Sequence, residues 1–257
     1  MRLLGIDCAT KSLAVSIVDF NLNWSLDLSK IQKKYTRRFE KAKTEEEKTT
    51  VLLKRIKAVE SLWDNLFILR YVNVFDLLPG VALKGAPIEL KMSRLKAALH
   101  YVNCINKKME PYLPINKVLV EYQMSANDKS RTISNALVYA FTEPDHNFTF
   151  SGKYLNLVGD SSSTSLQTAS QGSTVEMVGP ALKSKVYFGA AGKMSNFRKK
   201  YMSNYTANKA HAKHNFKEWI SMHECSEIIE GIPKSNLDDV ADSFLMTYAW
   251  CVKHYLK

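Results

Sequence analysis

The sequence predicts an α/β fold, because short β-branched runs alternate with amphipathic helical stretches along most of its length. Two further observations sharpen this. Two strand-like runs at the N-terminus are joined by a brief polar turn. A well-marked amphipathic helix closes the chain. With 257 residues, 46% of them apolar, there is material for one large domain or two small ones, with a substantial core.

Residues 2–7 and 13–20 are rich in Leu, Ile and Val and read as two strands, with the polar "CATKS" between them as a turn. From Asn21 to Arg70 the texture changes. This stretch has no Gly or Pro and carries 12 Lys and Arg against 7 Asp and Glu, and it reads as one long solvated helix or two. "RYVNVFDLL" (70–78) is a third strand, stopped by Pro79-Gly80. Over 93–109, Leu95, Ala98, Leu99, Val102 and Ile105 recur at helical spacing. "NKVLVEYQM" (116–124) is a short strand, and "SRTISNALVYAF" (130–141) a helix begun near Asp128. Residues 142–175 read as a flexible loop, rich in Ser, Thr and Gln, with one possible strand at "KYLNLVG". "TVEMVGP" is the next strand. In "SNLDDVADSFLMTYAWCVKHYLK", Ser235 and Asp238 have the spacing of a capping box, and Leu237, Val240, Ala241, Phe244, Leu245, Tyr248 and Cys251 form one buried face.

The formal net charge is +11. Such an excess points to a polyanionic partner, most often nucleic acid. It is concentrated between Ala181 and Lys217, where Lys183, Lys185, Lys193, Arg198, Lys199, Lys200, Lys209, Lys213 and Lys217 occur with no acid. Phe188, Phe197, Tyr201, Tyr205 and Phe216 are interleaved there. Exposed rings could stack on bases, whereas buried ones would be core and leave only the lysines facing out. Four well-separated cysteines with no CxxC pair argue against a zinc ribbon and fit reduced thiols inside a cell. The N-terminus lacks a signal-peptide pattern, and no apolar run approaches the roughly 18 residues needed to cross a bilayer. No membrane partner is expected. His211 and His214 lie in the basic stretch without a nearby Cys or carboxylate, so DNA contact or plain surface is expected of them rather than metal ligation.

Acids stand where apolar elements should have none. Asp7 ends the first strand and Glu121 ends a later one. Asp239 and Asp242 occupy the first turns of the last helix, one turn apart on one face. Asp238 and Asp242 are also neighbours at i, i+4, so spacing does not select between Asp238 and Asp239. A helix dipole accounts for Asp238 and Asp239 at an N-terminus. It does not account for Asp242, flanked by core positions, and Asp7 in its apolar strand could simply pair with a lysine. Convergent carboxylates repel unless cations hold them. Two Mg²⁺ or Mn²⁺ ions about 4 Å apart would suit such a cluster and support in-line phosphodiester hydrolysis.

"LGIDCATKSLAVSIVD", "KVLVEYQ", "NKAHAKHNF" and "DDVADSFLM", in that order, resemble motifs of the poxvirus-type Holliday junction resolvases, RuvC-like members of the RNase H-like superfamily. The resemblance implies a single domain over 1–257, built on a mixed five-stranded sheet with an antiparallel meander and helices on both faces. It implies catalytic, metal-ligating roles for Asp7, Glu121, Asp239 and Asp242, preferring Asp239 to Asp238. It makes Lys183 and Lys209 phosphate contacts, and the basic stretch itself adds Lys185, Arg198, Lys199, Lys200 and Lys213 to the DNA-binding set. It implies a homodimer acting on four-way junctions, matching the two-fold symmetry of the substrate. It also implies a viral source, with action at a cytoplasmic replication site or in the host nucleus. The chain departs from the family by inserting the basic helical segment 21–70 and by the long loop over 142–175.

Three rivals remain. Sugar kinases and actin-like proteins share the first hairpin but need a second lobe and more glycine than the 10 present. An RNase H-type nuclease on RNA–DNA hybrids would use the same acids. A non-catalytic DNA-binding protein could keep the fold.

Overall fold

The computed structural model describes residues 1–8, 12–76, 110–122, 128–142 and 174–256. The helix expected over 93–109, the strand at "KYLNLVG" and nearly all of the loop over 142–175 lie outside the described residues. Five strands form one mixed sheet: β1 (Arg2–Cys8), β2 (Ser12–Phe20), β3 (Phe67–Asp76), β4 (Lys117–Glu121) and β5 (Thr174–Val178). Their order is β3-β2-β1-β4-β5. β1, β2 and β3 form an antiparallel meander, and β4 and β5 run parallel to β1. This is the mixed five-stranded α/β sheet with an antiparallel meander expected above.

Between β2 and β3 stand α1 (Trp24–Lys41) and α2 (Glu45–Asp64). Two helices form rather than one because Thr44 caps α2 in a capping box with Glu47, stopping the chain from running on. α1 buries only Tyr35 and α2 buries nothing, so the pair is largely solvated. β3 begins at Phe67, three residues earlier than the sequence pattern indicates, because Leu66 and Phe67 are drawn into the core beside Phe20.

Downstream come α3 (Asp128–Thr142), α4 (Met194–Lys200), α5 (Asn204–Met222) and α6 (Leu237–Tyr255). The strand period of two splits the core into two layers. Leu4, Ile6, Cys8, Val118 and Val120 face α3 through Ile133, Leu137 and Phe141. Leu3, Val18, Phe20 and Leu119 face α6 and α5, where Phe216, Trp219, Val240, Phe244 and Leu245 complete the larger cluster. Helices therefore cover both faces.

α6 sits unusually close to β1. A Cβ on Gly5 would collide with Thr247 Oγ1 and lie 2.7 Å from the Ser243 carbonyl and 2.9 Å from Ser16 Oγ. Glycine is required there for close helix–strand approach. Among the described residues no helix is long and apolar enough to cross a membrane.

Candidate active site

The two-layer alternation decides where the strand acids point. Leu3, Gly5 and Asp7 share the α6 face of β1, and Leu119 and Glu121 share the same face of β4. Ile6 is in register with Val120, so Asp7 and Glu121 stand side by side at the carboxyl ends of two parallel strands. Both are buried, at 7% and 6% exposure. Across from them the first turns of α6 present Asp238, Asp239 and Asp242, the last only 8% exposed.

Two lysines fill the space between these groups. Lys183 lies in the 3₁₀ turn Pro180–Lys185 directly after β5. Its ammonium is 2.9 Å from Glu121 Oε1 and 3.2 Å from Asp242 Oδ2. Lys209, on α5, donates to Asp239 Oδ1 at 2.8 Å and to Asp242 Oδ2 at 3.1 Å, and lies 3.4 Å from Asp238 Oδ2. Ser12, at the start of β2, donates its hydroxyl to Asp239 Oδ2 at 3.1 Å. The acids predicted from sequence are thus gathered at one place, together with Asp238 and two of the seven predicted DNA-contacting residues.

The electrostatics follow from this packing. Burial pushes the Asp7 carboxyl well above the usual aspartate range, and the neighbouring Glu121 charge and a hydrogen bond shared with Glu121 add to the rise, against the opposing pull of Lys183 and Lys209. Asp242 is likewise raised, by burial first, with Lys183 and Lys209 partly offsetting it. Burial works against the charge on Lys183, but Asp7, Asp242 and Glu121 outweigh it and raise its pKa. Lys209 behaves in the same way, its burial outweighed mainly by Asp242 and Asp239. Asp7, Glu121, Asp238, Asp239 and Asp242 carry five formal negative charges against two lysines, an excess that a divalent cation would offset. All donors are hard carboxylate oxygens, the chemistry that Mg²⁺ and Mn²⁺ prefer, so the residues fit such an ion. Among the described residues no group of three such side chains stands close enough together to hold an ion as they are.

The remaining predicted DNA-contacting residues lie elsewhere. Lys185, Arg198, Lys199 and Lys200 are exposed. Lys213 is half-buried and donates to the Lys234 carbonyl at 3.0 Å, bracing the approach to α6. Of the interleaved aromatics, Phe216 is core, whereas Tyr205 is 71% exposed. His211 is buried rather than on the surface. Burial, with help from His214, lowers its pKa to about 4, and the Phe197 ring meets it edge-on at 5.5 Å. The capping box expected at Ser235 does not form. Asn236 is the cap residue, without a side-chain cap, because Ser235 donates instead to Asn236 Oδ1 and Asp238 is drawn toward Lys209.

Ser12 and Gly5 escaped the sequence reading. Ser12 had no signal beyond its place at a strand start. Gly5 did have one: a lone glycine inside a strand pattern marks close backbone approach.

No known protein-family profile and no curated protein matches this sequence. Among solved structures, the chain is similar to Thermus thermophilus RuvC, at 11% identity and a TM-score of 0.41 over 99% of this chain and 98% of that one.

Proposed function

We propose that this chain is a metal-dependent DNA endonuclease of the poxvirus-type resolvase kind, nicking four-way junctions in symmetric pairs as a homodimer. One observation carries the reading. Asp7, Glu121, Asp239 and Asp242 come from three separate elements and converge with a net negative charge in a chain that is otherwise +11. The order of the sequence motifs supports the same conclusion. Asp7, Glu121, Asp239 and Asp242 would hold Mg²⁺ or Mn²⁺. When bound, the metal supplies an activated water and stabilises the leaving 3′ oxygen of a phosphodiester.

The chain's own groups do the rest. Ser12 and Lys209 orient Asp239. Lys183 and Lys209 stand close enough to the carboxylates to meet a phosphate brought there, neutralising its oxygens as charge builds. The sheet and α6 exclude water from one side of the cluster. Lys185, Arg198, Lys199 and Lys200 attract the polyanion over a wider area.

The deciding experiment is cleavage of a four-way junction, a matched linear duplex and an RNA–DNA hybrid with Mg²⁺ or Mn²⁺, using Asp7→Asn as control. Paired symmetric nicks in the junction alone are expected. Asp7→Asn should lose cleavage by a factor of at least about 10³ while binding the junction as well as before. Cutting of the hybrid alone would replace this reading with an RNase H-type activity. Normal cutting by Asp7→Asn would remove the acid cluster as the site.

A further inference from the structure

α1 bears Lys30, Lys33, Lys34, Arg37 and Lys41 at i, i+3, i+4, i+7 and i+11, which places all five on one helix face. All five are exposed. The stripe runs about 16 Å along the axis at 1.5 Å per residue. The other side of α1, through Trp24, Leu28, Ile31 and Tyr35, turns inward. Among the described residues, only Lys30 of the five has an acid partner, Asp27 at 3.1 Å. The pairs Lys30/Lys34, Lys33/Arg37 and Arg37/Lys41 are like charges at i, i+4, an arrangement that destabilises a helix. α2 shows the contrast: its Lys48 pairs with Glu45, and its first turn is acidic. A helix that keeps a self-repelling row of cations in water has a surface suited to a row of anions.

The anion spacing and chemistry narrow the partner. The stripe presents four ammoniums and one guanidinium, and the ring beside it, Tyr35 under Lys34, is buried and cannot stack on an unpaired base. That suits phosphates rather than base faces, hence duplex rather than single strands. Its place in the fold sets it apart from the acids. The hairpin springs from the end of β2, where Asp19 pairs with Arg2 at the start of β1. Asp7 lies five residues further along β1, roughly 17 Å away.

We propose that the Lys30–Lys41 face of α1 binds the sugar-phosphate backbone of duplex DNA, holding an arm of the substrate at a second point beyond the acid cluster. This rests on the nuclease reading above and adds to it a binding element in the inserted segment. Contacts of this kind position the duplex without reading its sequence.

The test uses the full chain in an Asp7→Asn background, so that substrate is not consumed. The triple variant Lys33→Glu/Arg37→Glu/Lys41→Glu is compared with Lys33→Gln/Arg37→Gln/Lys41→Gln, which removes charge with helix-favouring residues. Affinity for a four-way junction is measured from 50 to 200 mM KCl, with far-UV circular dichroism to follow helix content. The expected result is a loss of affinity of at least tenfold in both variants at 100 mM salt. The plot of log affinity against log salt should flatten by about 2 to 3, near 0.9 per phosphate released, with helix content retained. Unchanged affinity and slope, with the parent protein still binding the junction, would overturn the α1 assignment and leave the nuclease reading standing. A parent chain that neither binds nor cuts DNA would overturn both. Binding of the parent to phosphatidylserine vesicles but not to DNA, lost in the glutamate variant, would overturn the proposal in favour of a membrane surface.

Discussion

Lys209 reaches three carboxylates from one ammonium, and its removal should show what the acids do without it. Replacing it by Met keeps the stem and deletes the charge. Breaking a buried ion pair by removing one partner typically costs about 3–5 kcal/mol. We therefore expect Lys209→Met to melt well below the parent in EDTA and to recover most of that loss with millimolar Mn²⁺, as read by thermal denaturation. Equal melting in both conditions would argue that the acids do not need a cation. His211 gives a pH prediction. Its pKa falls from the ordinary histidine value of 6.5 to about 4 on folding. Between those values the unfolded chain takes up a proton that the folded chain refuses, so stability is full above about pH 6.5 and declines as pH falls toward 4. His211→Leu should flatten that part of the stability profile in a denaturant series taken from pH 7 to 4. An unaltered profile would place the titration elsewhere.

Gly5 shows how an element sets the site. The space between β1 and α6 is filled by Ser16, Ser243 and Thr247, leaving none for a methyl group. Gly5→Ala should destabilise by about 1–3 kcal/mol or more through overpacking, and should reduce cleavage beyond that loss by moving Asp239 and Asp242 away from Asp7. A variant of normal stability and rate would show that the approach is not tight. Much of this was legible in advance at the level of elements. The strands, the final helix and the acids at their ends were readable because period-two and period-3.6 patterns are local. The break between α1 and α2 was left open, as one helix or two, and the Thr44–Glu47 capping box settles it. The Ser235 cap was misplaced because a local rule lost to a distant partner, Lys209. His211 was misplaced because its burial depends on Phe197 and on the turn near Val186, which no helical pattern reveals.

At the scale of the molecule, Asp7 and Asp242 come from opposite ends of the chain and meet only because β1 pairs with β4 and α6 lies across both. The order of the motifs made that meeting foreseeable. The resemblance brought Lys183 and Lys209 to the site as phosphate contacts, but not as partners of the acids, because spacing along a chain does not say which carboxylate a distant ammonium meets. That pairing bears on how the protein begins its working life. A carboxylate cage that closes around its own side chains can leave the ribosome folded, without waiting for an ion to arrive. Lys183 and Lys209 each answer more than one of these acids, so the same carboxylates that the nuclease reading assigns to chemistry also tie the ends of the chain into one folded body.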